Sequence, residues 1–184
     1  TWGFLCPAET PEGQSVGVVK NLSYMTNVST YSDSTPIYEY IKPFLYPLDS
    51  YDTVLFYDKV KIFVNGRWIG VTDKPIELYN ELKLKKHNGM IHIYCSIVFN
   101  YRLKEIYVCN ECGRLVRPVF KVKDNRILLT QEIIERLKQD TLTWRDLIIP
   151  LKCSESIIEY IDSEEQNNSM ICMRPNKFNN NYSY

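Results

Sequence analysis

Two carboxylates, Glu9 and Glu12, stand three residues apart in Cys6-Pro7-Ala8-Glu9-Thr10-Pro11-Glu12-Gly13-Gln14-Ser15-Val16-Gly17. Proline fixes φ and removes a backbone donor, and glycine permits φ > 0. A stretch with Pro7, Pro11, Gly13 and Gly17 is therefore neither an ordinary helix nor a central strand, but a stiff, shaped loop of the kind that carries sites. Carboxylates held at a fixed distance can divide the roles of acid and base. They can equally cap backbone amides or stand in solvent, and the spacing alone leaves these readings open. The apolar run Val18-Val19-Lys20-Asn21-Leu22 that follows predicts a loop stitched into a core.

A second candidate is Cys109-Asn110-Glu111-Cys112-Gly113, whose Cys-x-x-Cys spacing can aim two thiolates at one tetrahedral zinc. Four ligands are needed, and there is no second such pair. Completion would have to come from Cys6, Cys95, Cys153, Cys172, His87 or His92. A redox dithiol lacks the surrounding βαβ pattern. A tight hairpin turn carrying two thiols is the plain reading. Lys83, Lys85 and Lys86 could touch phosphates, but a basic run at a helix end reads as a solvated face. The fourteen tyrosines and three tryptophans could stack on bases, but at this abundance they read as core and interface filling.

The elements that must hold these residues form an α+β pattern of mixed small sheets and short helices. Pro36–Leu45 reads as a short helix ended at Pro43. Val60–Val64 and Arg67–Val71 flank Asn65-Gly66, a two-residue hairpin signal. Asp73-Lys74-Pro75 opens an amphipathic helix to about Lys86, with Ile76, Leu78, Tyr79 and Leu82 apolar, stopped by Asn88-Gly89. Ile91–Asn100, Glu105–Val108 and Leu115–Val122 read as strands. Thr130–Gln139 and Thr143–Ile148 read as helices, Thr130 serving as a cap. Ile157–Ile161 and Met170–Met173 read as short strands around the acidic turn Asp162–Glu165, which has helix-start character.

The chain has 184 residues, of which 45% are apolar and 24% charged. It is long enough for one ordinary domain or two small ones. Its 22 basic and 22 acidic residues cancel, which argues against an autonomous nucleic-acid binder. No apolar run approaches the ~20 residues of a membrane span. The six irregularly spaced cysteines read as reduced thiols of an intracellular chain.

Four stretches carry a resemblance. Trp2-Gly3-Phe4-Leu5-Cys6-Pro7-Ala8-Glu9-Thr10-Pro11-Glu12-Gly13-Gln14, with Gly17 and Val19-Lys20-Asn21-Leu22-Ser23, resembles the fork segment of the second-largest subunit of multisubunit DNA-directed RNA polymerases, in its eukaryotic, archaeal and large-DNA-virus forms. Phe63-Val64-Asn65-Gly66-Arg67-Trp68-Ile69-Gly70 is similar to that family's VNGxWxG hairpin. Gly113-Arg114-Leu115-Val116-Arg117-Pro118-Val119-Phe120 is similar to its GRxxRPLF strand. Glu159-Tyr160-Ile161-Asp162-Ser163-Glu164-Glu165 with Met170-Ile171-Cys172-Met173 is similar to its EYID-EEE segment.

The resemblance implies a piece of a longer subunit: the end of the fork at residues 1–35, an external 1-like domain at 36–100, an external 2-like domain at 101–174, and a polar tail at 175–184. It implies that Glu12, Gly13 and Gln14 position the active centre, with Cys6, Pro7, Glu9, Pro11 and Gly17 framing the loop. Trp2–Cys6 is then expected to pack against chain beyond these residues. The resemblance further implies transcription by a nucleotidyltransferase whose Mg2+ is held by aspartates of the largest subunit. No catalytic or metal-binding residue is expected here, and the isolated chain is expected to be inactive. The implied partners are the largest subunit and other polymerase subunits, DNA template, RNA product and nucleoside triphosphates, without membrane. The implied compartment is the nucleus, the cytoplasm or, for a large DNA virus, the viral factory or virion. The Lys, Asn and Tyr bias fits an AT-rich genome. Two other classes stand beside this one: a zinc-stabilised interaction module around Cys109 and Cys112, and a glycosidase-like hydrolase using Glu9 and Glu12.

Overall fold

The computed structural model describes residues 2–46, 48, 56, 58–124, 126–150, 155–174 and 184. Cys153 and the polar tail up to residue 183 lie outside the described residues. The elements, in chain order, are β1 (Asn27–Val28), α1 (Thr35–Ile41), β2 (Val60–Val64), β3 (Arg67–Thr72), α2 (Pro75–His87), β4 (Ser96–Asn100), β5 (Glu105–Cys109), β6 (Leu115–Phe120), β7 (Val122–Lys123), β8 (Arg126–Ile127), α3 (Gln131–Lys138), α4 (Trp144–Ile148), β9 (Ile158–Asp162) and α5 (Ser163–Asn167). The fold is α+β, as expected.

A four-stranded sheet has the order β3-β2-β5-β4. Its outer pairs are antiparallel hairpins, and β2 runs parallel to β5 at its centre. Asn65 and Gly66 make the first hairpin's turn with φ of 50° and 76°, the positive values that a primed two-residue turn needs. A parallel neighbour requires a crossover, and α2 supplies it. Ile62, Val64, Leu78, Leu82, Ile97, Ile106 and Val108 are buried between this sheet and the helices, joined by Ile37 and Ile41 of α1. Pro36 sits in the first turn of α1, and the chain tightens to a 3-10 turn at Lys42–Phe44, where Pro43 cannot continue the helix.

The three-stranded antiparallel sheet has the order β1-β6-β9. Below it Leu147, Ile157 and Ile158 form a smaller core with Leu128, Leu129, Ile133 and Leu137. Thr143 and Asp146 close a capping box on α4: Asp146 Oδ2 accepts from the Thr143 amide at 2.9 Å. Asp162 caps α5, accepting from the Glu165 amide at 2.9 Å, which gives the acidic turn its expected helix start.

Several expectations are corrected. Cys109–Gly113 is not a hairpin turn: β5 pairs with β2 and β4, whereas β6 pairs with β1 and β9, so these residues carry the chain from one sheet to the other. Residues 91–95 are turns ahead of β4, and 170–173 form no strand. In α2 the apolar stripe is Leu78 and Leu82, while Ile76 faces outward. The apolar run after the loop is not core: Val16, Val18, Val19 and Leu22 are all exposed. Phe4, expected to pack on chain beyond these residues, is buried within this chain and lies under the Arg117 guanidinium, whose carbon is 5.7 Å from the ring centroid. Trp2 remains exposed. The tyrosines divide: Tyr160 is buried, whereas Tyr24 is 99% exposed.

Candidate functional site

The Cys6–Gly17 loop projects from the molecule on a narrow neck. From Pro7 to Lys20 every residue but the half-buried Pro11 is exposed. The neck closes where Leu5 bridges Leu22 and the Cys6 amide donates to the Asn21 carbonyl at 2.9 Å. Within the loop, the Gly17 amide donates to Thr10 Oγ1 at 3.2 Å, and Asn21 Nδ2 donates to the Glu9 carbonyl at 3.0 Å. Gly13 adopts φ +79° and opens a single 3-10 turn, Gly13–Ser15, closed by the Val16 amide on the Gly13 carbonyl at 3.2 Å. A β-carbon at Gly13 would meet nothing within 4 Å, so glycine is required there for its dihedral rather than for space.

Glu9, Glu12 and Gln14 all point outward, and neither carboxylate makes an ion pair with another described residue. Both carboxylates are exposed among the described residues, with no enclosing walls to set them apart as acid and base. The arrangement leaves shaped backbone and polar side chains exposed.

Cys109 is half-buried and Cys112 exposed, and all five described cysteines are free. Among the described residues no three His, Cys, Asp or Glu side chains are grouped to hold a metal ion. Cys95 is buried, and burial pushes its thiol up to about 12.

The strongest electrostatic feature was not anticipated, and it corrects the expected solvated lysine face. Lys86 is only 3% exposed, and Lys83 is half-buried beside it. Lys83 Nζ lies 2.8 Å from Glu159 Oε1 and 2.7 Å from Glu165 Oε1. Lys86 Nζ lies 3.0 Å from each of the same two carboxylates and donates to the Tyr160 carbonyl at 2.9 Å. His87 Nε2 and the Tyr184 hydroxyl each meet Glu159 Oε2 at 2.9 Å. Burial alone would raise the Glu159 carboxyl, but the Lys86 and Lys83 ammonium groups hold it well below the usual range. The same carboxylates, Glu165 foremost, hold Lys83 well above its ordinary value against the effect of burial. Lys85, the third lysine of the run, lies over the Tyr40 ring at 4.4 Å. The signal was available: Leu78, Leu82 and Lys86 share one helical face at spacing four, and Glu159 interrupts the apolar run Ile157–Ile161. The cluster welds α2, which belongs to the four-stranded sheet, to β9 and α5.

Three family models match the chain in order. Residues 1–28 match the family described as RNA polymerase Rpb2, domain 3; residues 62–123 match domain 4; residues 144–184 match domain 5. The chain is 40% identical over 173 residues to DNA-directed RNA polymerase II subunit RPB2 of Encephalitozoon cuniculi, covering 94% of this chain and 15% of that protein. It is 36% identical over 192 residues to the Schizosaccharomyces pombe protein of the same name, covering 95% of this chain and 16% of that one. It is 31% identical over 177 residues to DNA-directed RNA polymerase subunit 2 of Acanthamoeba polyphaga mimivirus, covering 95% and 14%. The chain thus spans 14–16% of the length of these relatives.

Proposed function

Since this chain belongs to the family of second-largest subunits of multisubunit RNA polymerases, across its Rpb2 domains 3, 4 and 5, we propose that it forms the fork-side wall of an active-centre cleft in DNA-directed RNA synthesis. The observation that carries the reading is the loop: residues 7–20 stand exposed on a closed neck, presenting Glu12, Gly13 and Gln14 outward. Exposed apolar side chains beside it, Val18, Tyr24 and Met25 among them, fit a face covered by another polymerase subunit. Cys6, Pro7, Glu9, Pro11 and Gly17 set the loop's shape. Glu12 and Gln14 shape the network around nucleotide and template without donating the chemistry.

In this reading the reaction depends on Mg2+ held by aspartates of the largest subunit, and the chain alone is inactive. Its partners are the largest subunit and other polymerase subunits, with template, transcript and nucleoside triphosphates in the complete enzyme. The compartment is the nucleus, the cytoplasm or a viral factory. Residues 1–35 form the fork end, 36–100 the external 1-like part and 101–174 the external 2-like part. β5 lies past residue 100 yet sits at the centre of the four-stranded sheet, so the seam between the sheets falls near 110–114. A zinc-stabilised module is not favoured, because no metal-holding group exists among the described residues.

The test is Glu12→Ala in the complete polymerase. The expected result is a changed elongation rate or misincorporation frequency with normal subunit assembly. Normal rate and fidelity would remove Glu12 from the active-centre network.

A further inference from the structure

We propose that Arg114 and Asp162 are a positioning pair that fixes the stalk of the Cys6–Gly17 loop to the rest of the molecule. The outgoing side of the stalk is seated by Phe4 beneath the Arg117 guanidinium and by Gln166 Nε2, which donates to the Trp2 carbonyl at 3.4 Å; the returning side has to be held separately. Thr26 Oγ1 donates to the Gly3 and Phe4 carbonyls at 2.9 and 3.0 Å, and the Ser23 amide donates to the Phe4 carbonyl at 2.9 Å, which ties the two sides of the stalk to each other. The chain then enters β1, only two residues long, which pairs with Leu115 and Val116. Two residues of ladder hold little by themselves. A cavity of about 520 Å³, lined by Phe4, Leu5, Phe63, Tyr107, Arg114 and Asp162 among others, separates the stalk from the four-stranded sheet. The stalk faces that sheet across this space.

What holds the returning side, beside a 3.4 Å contact from Asn27 Nδ2 to the Tyr160 hydroxyl, is Arg114. Its carbonyl accepts from the Ser29 amide at 2.8 Å, and its amide donates to Ser29 Oγ at 3.0 Å. Ser29 is buried and also donates to the Glu111 carbonyl. The Arg114 guanidinium in turn uses three donors. Nη1 meets Asp162 Oδ2 at 2.7 Å, Nη2 meets the Tyr94 carbonyl at 2.7 Å, and Nε meets the Glu111 carbonyl at 2.9 Å. Asp162 Oδ1 accepts from Ser96 Oγ at 3.0 Å and from the Glu165 amide at 2.9 Å. The pair therefore joins the stalk to β6, β9, α5 and the start of β4. It also continues, through Glu165, into the buried lysine cluster. Arginine's planar fork meets these three acceptors from three separate nitrogens, an arrangement that a single lysine Nζ does not reproduce, so lysine is not equivalent here.

The experiment is amide hydrogen exchange on the subunit within the assembled polymerase. Asp162→Asn keeps the acceptor for Ser96 and for the α5 cap but removes the ionic partner. Arg114→Lys keeps the charge but loses the fork. Both should speed exchange at Ser23, Thr26 and Ser29 by about tenfold or more, the loss expected for a charged hydrogen bond, while β2 and β5 amides are unchanged. Ser29→Ala, which cuts only the hydroxyl link, should raise the same amides by about threefold and serves where a charged variant fails to assemble. Unchanged stalk exchange, or an even rise through both sheets, would overturn the pair's role. Its consequence for catalysis rests on the active-centre reading above. Faster stalk exchange with unchanged single-nucleotide addition would keep the positioning pair and overturn that reading instead.

Discussion

Lys86→Met tests whether the buried cluster is a dry, charge-balanced unit. Its two ammonium groups face two carboxylates, and Lys86 is the more enclosed of the lysines. The substitution keeps most of the side-chain volume and removes three interactions: those with Glu159, Glu165 and the Tyr160 carbonyl. It leaves two carboxylates sharing Lys83 and a β9 carbonyl that has lost a donor. Removing one partner of a buried ion pair costs about 3–5 kcal/mol, a large part of the roughly 5–15 kcal/mol by which domains are stable. The effect should therefore appear as a urea midpoint lowered by roughly a fifth or more. The double variant Lys86→Met, Glu165→Met restores charge balance. Its cost should fall below the sum of the single variants by about 2 kcal/mol. A single-variant cost under about 1 kcal/mol, or strict additivity, would show a hydrated cluster and refute the reasoning.

Other outcomes follow from the same groups. Glu159 is held below its ordinary value, so its stabilisation is present above about pH 4.3 and is lost as pH falls through the lower folded value. Lys83 is held above its own, so its share is present below about pH 10.4 and is lost as pH rises through the higher folded value. Denaturation midpoints across pH should show these two edges, and Glu159→Gln should flatten the acid one. Burial lowers Lys121, which donates to Ser156 Oγ at 2.8 Å, to about 8. The unfolded chain then binds more protons between about pH 8 and about pH 10.4, so stability from this group climbs through that window, and Lys121→Met should abolish the climb. Maleimide should label exposed Cys112 in the folded chain and reach Cys95 only after denaturation; equal rates would contradict the burial of Cys95.

Local chemistry made much of this architecture readable. Asn65-Gly66 dictates its hairpin, and Pro75 and Asn88-Gly89 bound α2, because each decision is made within a few residues; Thr130, read as a cap, precedes α3 but makes no side-chain cap bond. Sheet membership is not made locally. Cys109–Gly113 has hairpin chemistry, but β6 takes its partners β1 and β9 from about 40 to 90 residues away rather than from β5, and no nearby residue reports them. The outward-facing valines of the loop were misread for a related reason: apolar content records that a surface is to be covered, not what covers it. That the loop is neither helix nor central strand was legible from Pro7, Pro11 and Gly13. The anchoring of its stalk was not, since Arg114 and Asp162 stand 48 residues apart and meet only in the folded chain.

The separation between Lys83 and its two carboxylates, 76 and 82 residues, also sets a schedule for synthesis. At roughly 5–20 residues per second, a ribosome leaves α2 without its counter-ions for about 4–16 seconds after the lysines are made. In that interval β2 likewise waits for β5, with one flank unpaired. The nascent segment from β2 through α2 thus carries an apolar sheet edge beside lysines that lack their buried counter-ions until β9 and α5 emerge.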